Sequence, residues 1–319
     1  WGFFPDNLDY GLLLARAQTS SGKAKESLVT LDSLRKLPPP ASEDPRIDLE
    51  EATAQGRLSD YQRQQAAAAR AIEKGSNQGA RLLVARALLS QDNAFLELGE
   101  TKKAFEALAE ARRICEAAGD RRLLGLIINS VAVLRYRQGN FADAREGFEQ
   151  SLGIFRAIGN EGGVATQLNN LAGLLLLQAD RAGARKIYEE SLTIRRKLGD
   201  RRGVGLVMTN IAELEADTDL PGARRKFEEA LAIRREVGDR RGVAYILNRL
   251  ALLRGEQADL RGAKRICEEQ LGICREIGHK TLLAEGLFSL GEILWAEGEL
   301  PGARKSHEQA LAIRSGLGE

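Results

Sequence analysis

From about residue 81 onward, apolar and polar positions follow a helical period, and that pattern itself recurs along the chain. Residues 161–200 show one full cycle. Leu168, Leu171, Ala172 and Leu175 recur at spacings of three and four, which marks one face of a helix. Ala184, Ile187, Tyr188, Ser191 and Leu192 mark the face of a second helix. The opposite face of that helix carries Arg185-Lys186 and Glu189-Glu190, a solvated surface whose basic-first i,i+4 pairs contribute about 0.2–0.5 kcal/mol each. Gln178-Ala179-Asp180 makes the turn between the two helices. Gly159 ends the preceding helix in a left-handed conformation, and Asn160 caps the next one. The same punctuation stands at Gly119-Asp120, Gly159-Asn160, Gly199-Asp200, Gly238-Asp239, Gly278-His279 and Gly318-Glu319, at spacings of 40, 40, 39, 40 and 40.

A fixed period of this length means stacked supersecondary units. The expected fold is all-α: a right-handed α-solenoid superhelix of eight antiparallel helix pairs. Residues 1–40 read as a degenerate helix pair ending in the Pro38-Pro39-Pro40 linker, which forbids helix. Residues 41–80 form a degenerate repeat and 81–120 a closer one. Five full repeats follow, at 121–160, 161–200, 201–239, 240–279 and 280–319. The 201–239 unit is one residue short. The deficit falls near Glu215-Ala216, which predicts a shortened last turn in the first helix of that unit.

The arrangement of small residues resembles the tetratricopeptide repeat in a long variant. Ala132, Ala144, Phe148 and Ser151 fit that pattern, as do Ala172, Ala184, Tyr188 and Ser191, and then Ala212, Ala223, Phe227 and Ala230. Gly291, Ala303 and Ala310 continue it, with His307 at the aromatic position. The wording GDRRGVAYILNRLA and LPGARRKFEEALAIRREVGD is similar to arrays attached to bacterial multidomain signalling proteins such as serine/threonine kinases, cyclases and transcriptional regulators. The resemblance implies a non-catalytic scaffold that binds a peptide or protein partner. A chain starting at Trp1 reads as a piece of a longer polypeptide, so any catalytic activity is expected elsewhere.

Composition narrows the field. The formal net charge is +2, with aromatic residues at 5%. A nearly balanced charge argues against a dominant phosphate-binding role and so against nucleic acid as the main partner. No apolar run reaches membrane-spanning length, so no membrane association is expected. Cys115, Cys267 and Cys274 fit a reducing, cytoplasmic setting. His279 reads as a helix cap and His307 as a core residue. No nucleotide-binding or metal motif occurs, so neither a metal nor a cofactor is expected, and the chain is not read as an enzyme.

The strongest candidate surface is the inner face of the first helix of each pair, lying opposite the surface that packs on the second. It reads Leu126, Ser130, Val133 and Arg137; Thr166, Asn170, Gly173 and Leu177; Leu206, Asn210 and Glu213; Tyr245, Arg249, Leu252 and Glu256; then Glu285, Ser289, Glu292 and Ala296. Asn129, Asn169 and Asn248 border it. Asn is a poor helix former, yet it recurs mid-helix here. Its amide both donates and accepts, so it can satisfy a peptide backbone of any sequence; plain solvation of a groove is the alternative. The implied partner-binding set is Asn129, Ser130, Arg137, Asn169, Asn170, Asn210, Glu213, Tyr245, Asn248, Arg249, Glu256, Glu285 and Glu292. Glu213, Glu256, Glu285 and Glu292 make the later half acidic, which favours a ligand with basic residues there.

Two other readings stand beside this one. Arg121-Arg122, Arg201-Arg202 and Arg240-Arg241 would align into a basic ridge, either paired with acidic groups of the next turn or open to an anion or nucleic acid. Apolar ends at Trp1, Phe3 and Phe4 and at Leu311 and Ile313 would allow head-to-tail stacking into oligomers or filaments.

Overall fold

The computed structural model describes residues 7–317. Among these residues there are sixteen α-helices and no strand. They are α1 Leu8–Ser20, α2 Ala24–Leu34, α3 Pro45–Arg57, α4 Tyr61–Asn77, α5 Arg81–Glu97, α6 Thr101–Ala118, α7 Arg121–Arg137 and α8 Phe141–Ala157. They continue as α9 Glu161–Leu177, α10 Arg181–Lys197, α11 Arg201–Glu215, α12 Leu220–Glu236, α13 Arg240–Glu256, α14 Leu260–Ile277, α15 Lys280–Ala296 and α16 Leu300–Leu317. Odd-numbered helices are the first of each pair (A) and even-numbered ones the second (B). A 3-10 turn, Ala41–Glu43, follows the prolines, and Asp44 caps α3. Trp1, Phe3 and Phe4 lie outside the described residues.

Contacts divide the chain into two compact units, residues up to Ser191 and from Leu192 onward. In the first, Ala132, Ala144, Phe148 and Leu174 form one buried cluster, with small residues letting α7 and α8 approach closely. In the second, Phe227 is 1% exposed and packs with Ala212, Ala223 and Ala230. Burying such a Phe contributes about 1.5–3 kcal/mol.

The turns follow the sequence punctuation. Gly159 takes φ 67°, and the Asn160 side chain accepts from the Gly163 N–H at 2.9 Å. Ala179 takes φ 59°, and Asp180 accepts from Gly183 N–H at 2.8 Å. The short unit is resolved as expected: α11 has 15 residues where α13 and α15 have 17. Its C-cap Ala216 is right-handed at φ −54°, and the chain turns instead through Thr218 and Asp219 N–H groups donating to the Glu215 carbonyl at 2.9 and 2.7 Å. One residue fewer removes the left-handed residue that closes the other A-to-B turns.

Each B-helix meets the next A-helix at a joint where side-chain sizes compensate. A Cβ added to Gly163 would run into the Phe155 ring. One on Gly203 would meet the Arg195 guanidinium, and one on Gly242 that of Arg234. Where the B-helix residue is small, the A-helix residue is large. Gly75 lies under Leu83, Cys115 shares a cluster with Leu123, and Cys274 shares one with Leu282. Close-packed interiors tolerate neither a gap nor an overlap of a few methylene groups, so the two positions must vary together. The two arginines also hold the cap of the next helix: Arg195 reaches Asp200 at 2.5 Å and Arg234 reaches Asp239 at 2.8 Å.

Candidate functional site

The site is built separately in the two units. In the first, α7 and α9 carry the amides. Asn129 and Asn170 are half-buried, and Asn170 Nδ2 donates to Asn129 Oδ1 at 2.9 Å. Asn169 is half-buried beside them. Leu126 and Leu177 flank the pair and are 37% and 52% exposed. The surface therefore alternates an amide patch with apolar side chains.

Ser130 and Arg137 lie beside α5. Asp92 is 4% exposed there and lies near Ser130, while Arg137 pairs with Glu97 at 3.0 Å. Burial pushes Asp92 up to about 6, opposed by the neighbouring Ser130 hydroxyl and the Arg137 charge. Asp92 occupies the small-residue position held by Ala132, Ala172, Ala212, Ala251 and Gly291 in later repeats. Sequence reasoning missed it because a lone Asp in a loosely matching repeat reads as surface. The signal was its register with those small residues.

In the second unit, Glu213, Tyr245 and Arg249 form one cluster. The Tyr245 hydroxyl donates to Glu213, and Arg249 donates to Glu213 at 3.2 Å and to the Tyr245 hydroxyl at 3.1 Å. The guanidinium also lies 5.1 Å from the centre of the Tyr245 ring, a cation–π distance. Burial and the Glu213 charge push Tyr245 up to about 12, so the phenol stays protonated as a donor. Glu213 is thus already matched by a cation. Glu292 lies 3.3 Å from His307 Nε2, and Glu256 is exposed. Asn210 and Glu285 are half-buried. The acidity expected of this half therefore rests mainly on Glu256, Glu285 and Glu292. Asn248 is only 5% exposed, whereas Asn129 and Asn169 at the same repeat position are half-buried.

Of the two histidines, His279 serves as the sequence suggests, whereas His307 is not the core residue expected: its side chain is 34% exposed. His279 Nδ1 accepts the Leu282 N–H at 3.2 Å as the cap of α15. His307 stacks edge-on against Phe288, with centroids 5.1 Å apart, in the space above Gly291. Three arginines of the ridge are drawn into pairs: Arg201 with Glu236, Arg240 with Glu276, and Arg202 with Asp239 at 4.0 Å. At those positions they favour the acid-pairing reading over an open anion site. No three His, Cys, Asp or Glu side chains converge as a metal site among the described residues. No helix among them is long and apolar enough to cross a membrane.

The tetratricopeptide repeat family model matches residues 122–197 and 163–236, so this stretch carries tetratricopeptide repeats. The fold is similar to that of a Rap protein complexed with Competence and Sporulation Factor, at 13% identity over 98% of each chain, with a TM-score of 0.64. It is also similar to the apo form of the quorum sensor NprR from B. thuringiensis, at 15% identity over 96% of this chain and 86% of that one, TM-score 0.61. Similarity to the Cut9–Hcn1 hetero-tetramer of the APC/C has a TM-score of 0.65 at 11% identity; this chain aligns over 97% of its length to about half, 54%, of that one. No curated protein matches the chain in sequence.

Proposed function

We propose that the chain is a non-catalytic interaction scaffold, and that the exposed face of α7 and α9 binds an extended segment of a peptide or protein partner. The Asn129–Asn170 pair carries this reading. Each amide has two donors and an acceptor with two lone pairs, so one mutual hydrogen bond leaves capacity on both. A peptide bond presents the complementary donor and acceptor whatever its side chain. Leu126 and Leu177, both exposed, add apolar contact beside the amides. The structurally similar Rap protein is complexed with Competence and Sporulation Factor, which supports a ligand-binding role for such a helix array.

The test is a panel of short fluorescent peptides of varied sequence, read by polarisation against the chain. The best binder should lose affinity by about tenfold or more in the Asn129→Ala/Asn170→Ala double variant, because buried amide partners would go unmet. A chain that binds no peptide, or a variant that binds as well as the parent, removes the reading.

A further inference from the structure

In two helix pairs of the second unit, the arginine that opens the A-helix faces an acid in the last turn of its B-helix. Arg201 pairs with Glu236, and Arg240 with Glu276. Those acids stand sixteen residues after Leu220 and Leu260, the first residues of α12 and α14. The same step from Thr101 and Phe141, which open α6 and α8, reaches Ala117 and Ala157. The arginines remain there as Arg81 and Arg121. Arg122 repeats the loss. Its counterpart Arg202 reaches the capping Asp239 at 4.0 Å, and the corresponding cap is the uncharged Asn160.

Arg81, Arg121 and Arg122 are exposed, and among the described residues no carboxylate lies within 4.0 Å of their guanidinium groups. Arg156, beside Ala157, is exposed and unpaired in the same way. The acids close by are committed elsewhere: Glu110 to Arg113 at 2.6 Å, Glu116 to Arg112 at 2.7 Å, and Asp120 to the Leu123 N–H at 2.9 Å. In the remaining units the two positions hold Pro45 and Asn77, Glu161 and Lys197, or Lys280 and Gly316, so neighbouring arginines without acids occur at Arg81 and Arg121. Their helices have packed helices on both sides, since α4 meets α5 and α8 meets α9. Beside Arg81, where Ala117 replaces the acid, a cleft of about 470 Å³ is lined by Val84, Ile114 and Ala118.

We propose that this edge docks an acidic segment of a partner protein, with two carboxylates three residues apart and an apolar side chain next to one of them. The carboxylates take, from outside, the places that Glu236 and Glu276 hold within the later repeats. Arginine forks suit carboxylates in this role. The axes of neighbouring helices such as α5 and α7 lie about 8–10 Å apart, a reach of about three extended residues. The apolar side chain enters the cleft beside Arg81, which matters because exposed ion pairs alone bind weakly. A nucleic-acid backbone would meet the same arginines, but it leaves Val84 and Ile114 unused and brings phosphates up to Glu110 and Asp120.

The probe is the fluorescein-labelled peptide Leu-Glu-Ser-Ser-Glu-Leu with blocked ends, read by polarisation against the full chain at low salt. It sets a leucine beside Arg81 whichever way it runs. Saturable binding is expected. Replacing both Glu by Gln should weaken it about tenfold or more, and so should Arg81→Gln/Arg121→Gln in the chain. Ala117→Glu/Ala157→Glu keeps both arginines and should cost about as much, because it supplies the acids internally as the later repeats do. All four positions are exposed, so the variants should keep the fold. A peptide that does not bind, a Gln peptide that binds as well, or either double variant binding like the parent overturns the proposal. So does an oligothymidylate that displaces the peptide at an equal or lower concentration, which would make the edge a nucleic-acid site.

Discussion

Asn170 on α9 donates a hydrogen bond to Asn129 on α7 across 2.9 Å, although 41 residues separate them in the chain. Both side chains are half-buried, so the bond is made in partial competition with water. Neither residue should hold the fold together. Replacing either by Ala regains up to about 0.5 kcal/mol of helix propensity and gives up roughly 1 kcal/mol of hydrogen bonding. The single variants should therefore unfold in urea within about 1 kcal/mol of the parent, with a coupling of about 0.5–1 kcal/mol in the double-mutant cycle. A loss above about 3 kcal/mol from either change would make the pair a structural element and not a ligand surface.

Asp92 should make stability fall as pH rises. Its folded pKa, about 6, lies above the ordinary carboxyl value of 3.8, so the native state holds the proton more tightly than the unfolded chain. Stability contributed this way is greatest below about pH 4, declines through pH 4–6 and is flat above, for a total near 3 kcal/mol. Asp92→Asn keeps the size and shape of the side chain and removes the titration. It should flatten that part of the curve and stabilise the chain at pH 7.5 by about 1–3 kcal/mol. Urea denaturation at several pH values decides it; an unchanged slope would mean that Asp92 is ionised in the native state.

The joint between α8 and α9 should accept a size swap but not a size change. Gly163→Leu drives a side chain into Phe155 and should destabilise by about 2 kcal/mol or more. Phe155→Cys leaves a cavity at a residue that is fully buried and should cost about 3 kcal/mol. Together the two recreate the Cys115–Leu123 joint, so the double variant should recover at least half of the summed loss. Strict additivity in thermal unfolding would show that the two positions do not compensate.

The three cysteines should be silent toward thiol reagents. Cys115, Cys267 and Cys274 are fully buried, and burial, helped by nearby carboxylates, pushes them up to about 11, 12 and 11. At pH 8 the thiolate fraction is on the order of a thousandth or less, and the sulfurs are covered as well. Native protein should take up no label over the time in which denatured protein takes up one per cysteine. Rapid labelling of any one of them would reveal local opening of its joint.

Most of the helix pairs were legible because period, caps and small residues agree. Gly159, Asn160, Ala172 and Ala184 each state a local rule, and the structure obeys all of them. The missing residue near Glu215 was legible for the same reason, since a period counts residues. The candidate surface was less so. Helical spacing places Asn129, Asn170 and Glu213 on a face, but it does not say what the adjoining helix brings to them. Tyr245 and Arg249 take up Glu213 only because α13 packs beside α11, and Asn248 is buried for a similar reason. The Phe155–Gly163 compensation was invisible because it pairs the end of one unit with the start of the next. A comparison made within repeats never sets those two residues side by side.

That compensation limits how such an array can lengthen or shorten by recombination. The block 201–239 opens with Gly203 and closes with Arg234, so a tandem duplicate would meet itself at a matched seam. Deletion of 240–279 would instead set Arg234 against Leu282, two bulky side chains in a space that holds one. Gene segments in this array are therefore not interchangeable bricks: their ends come in kinds, and only like kinds can be spliced.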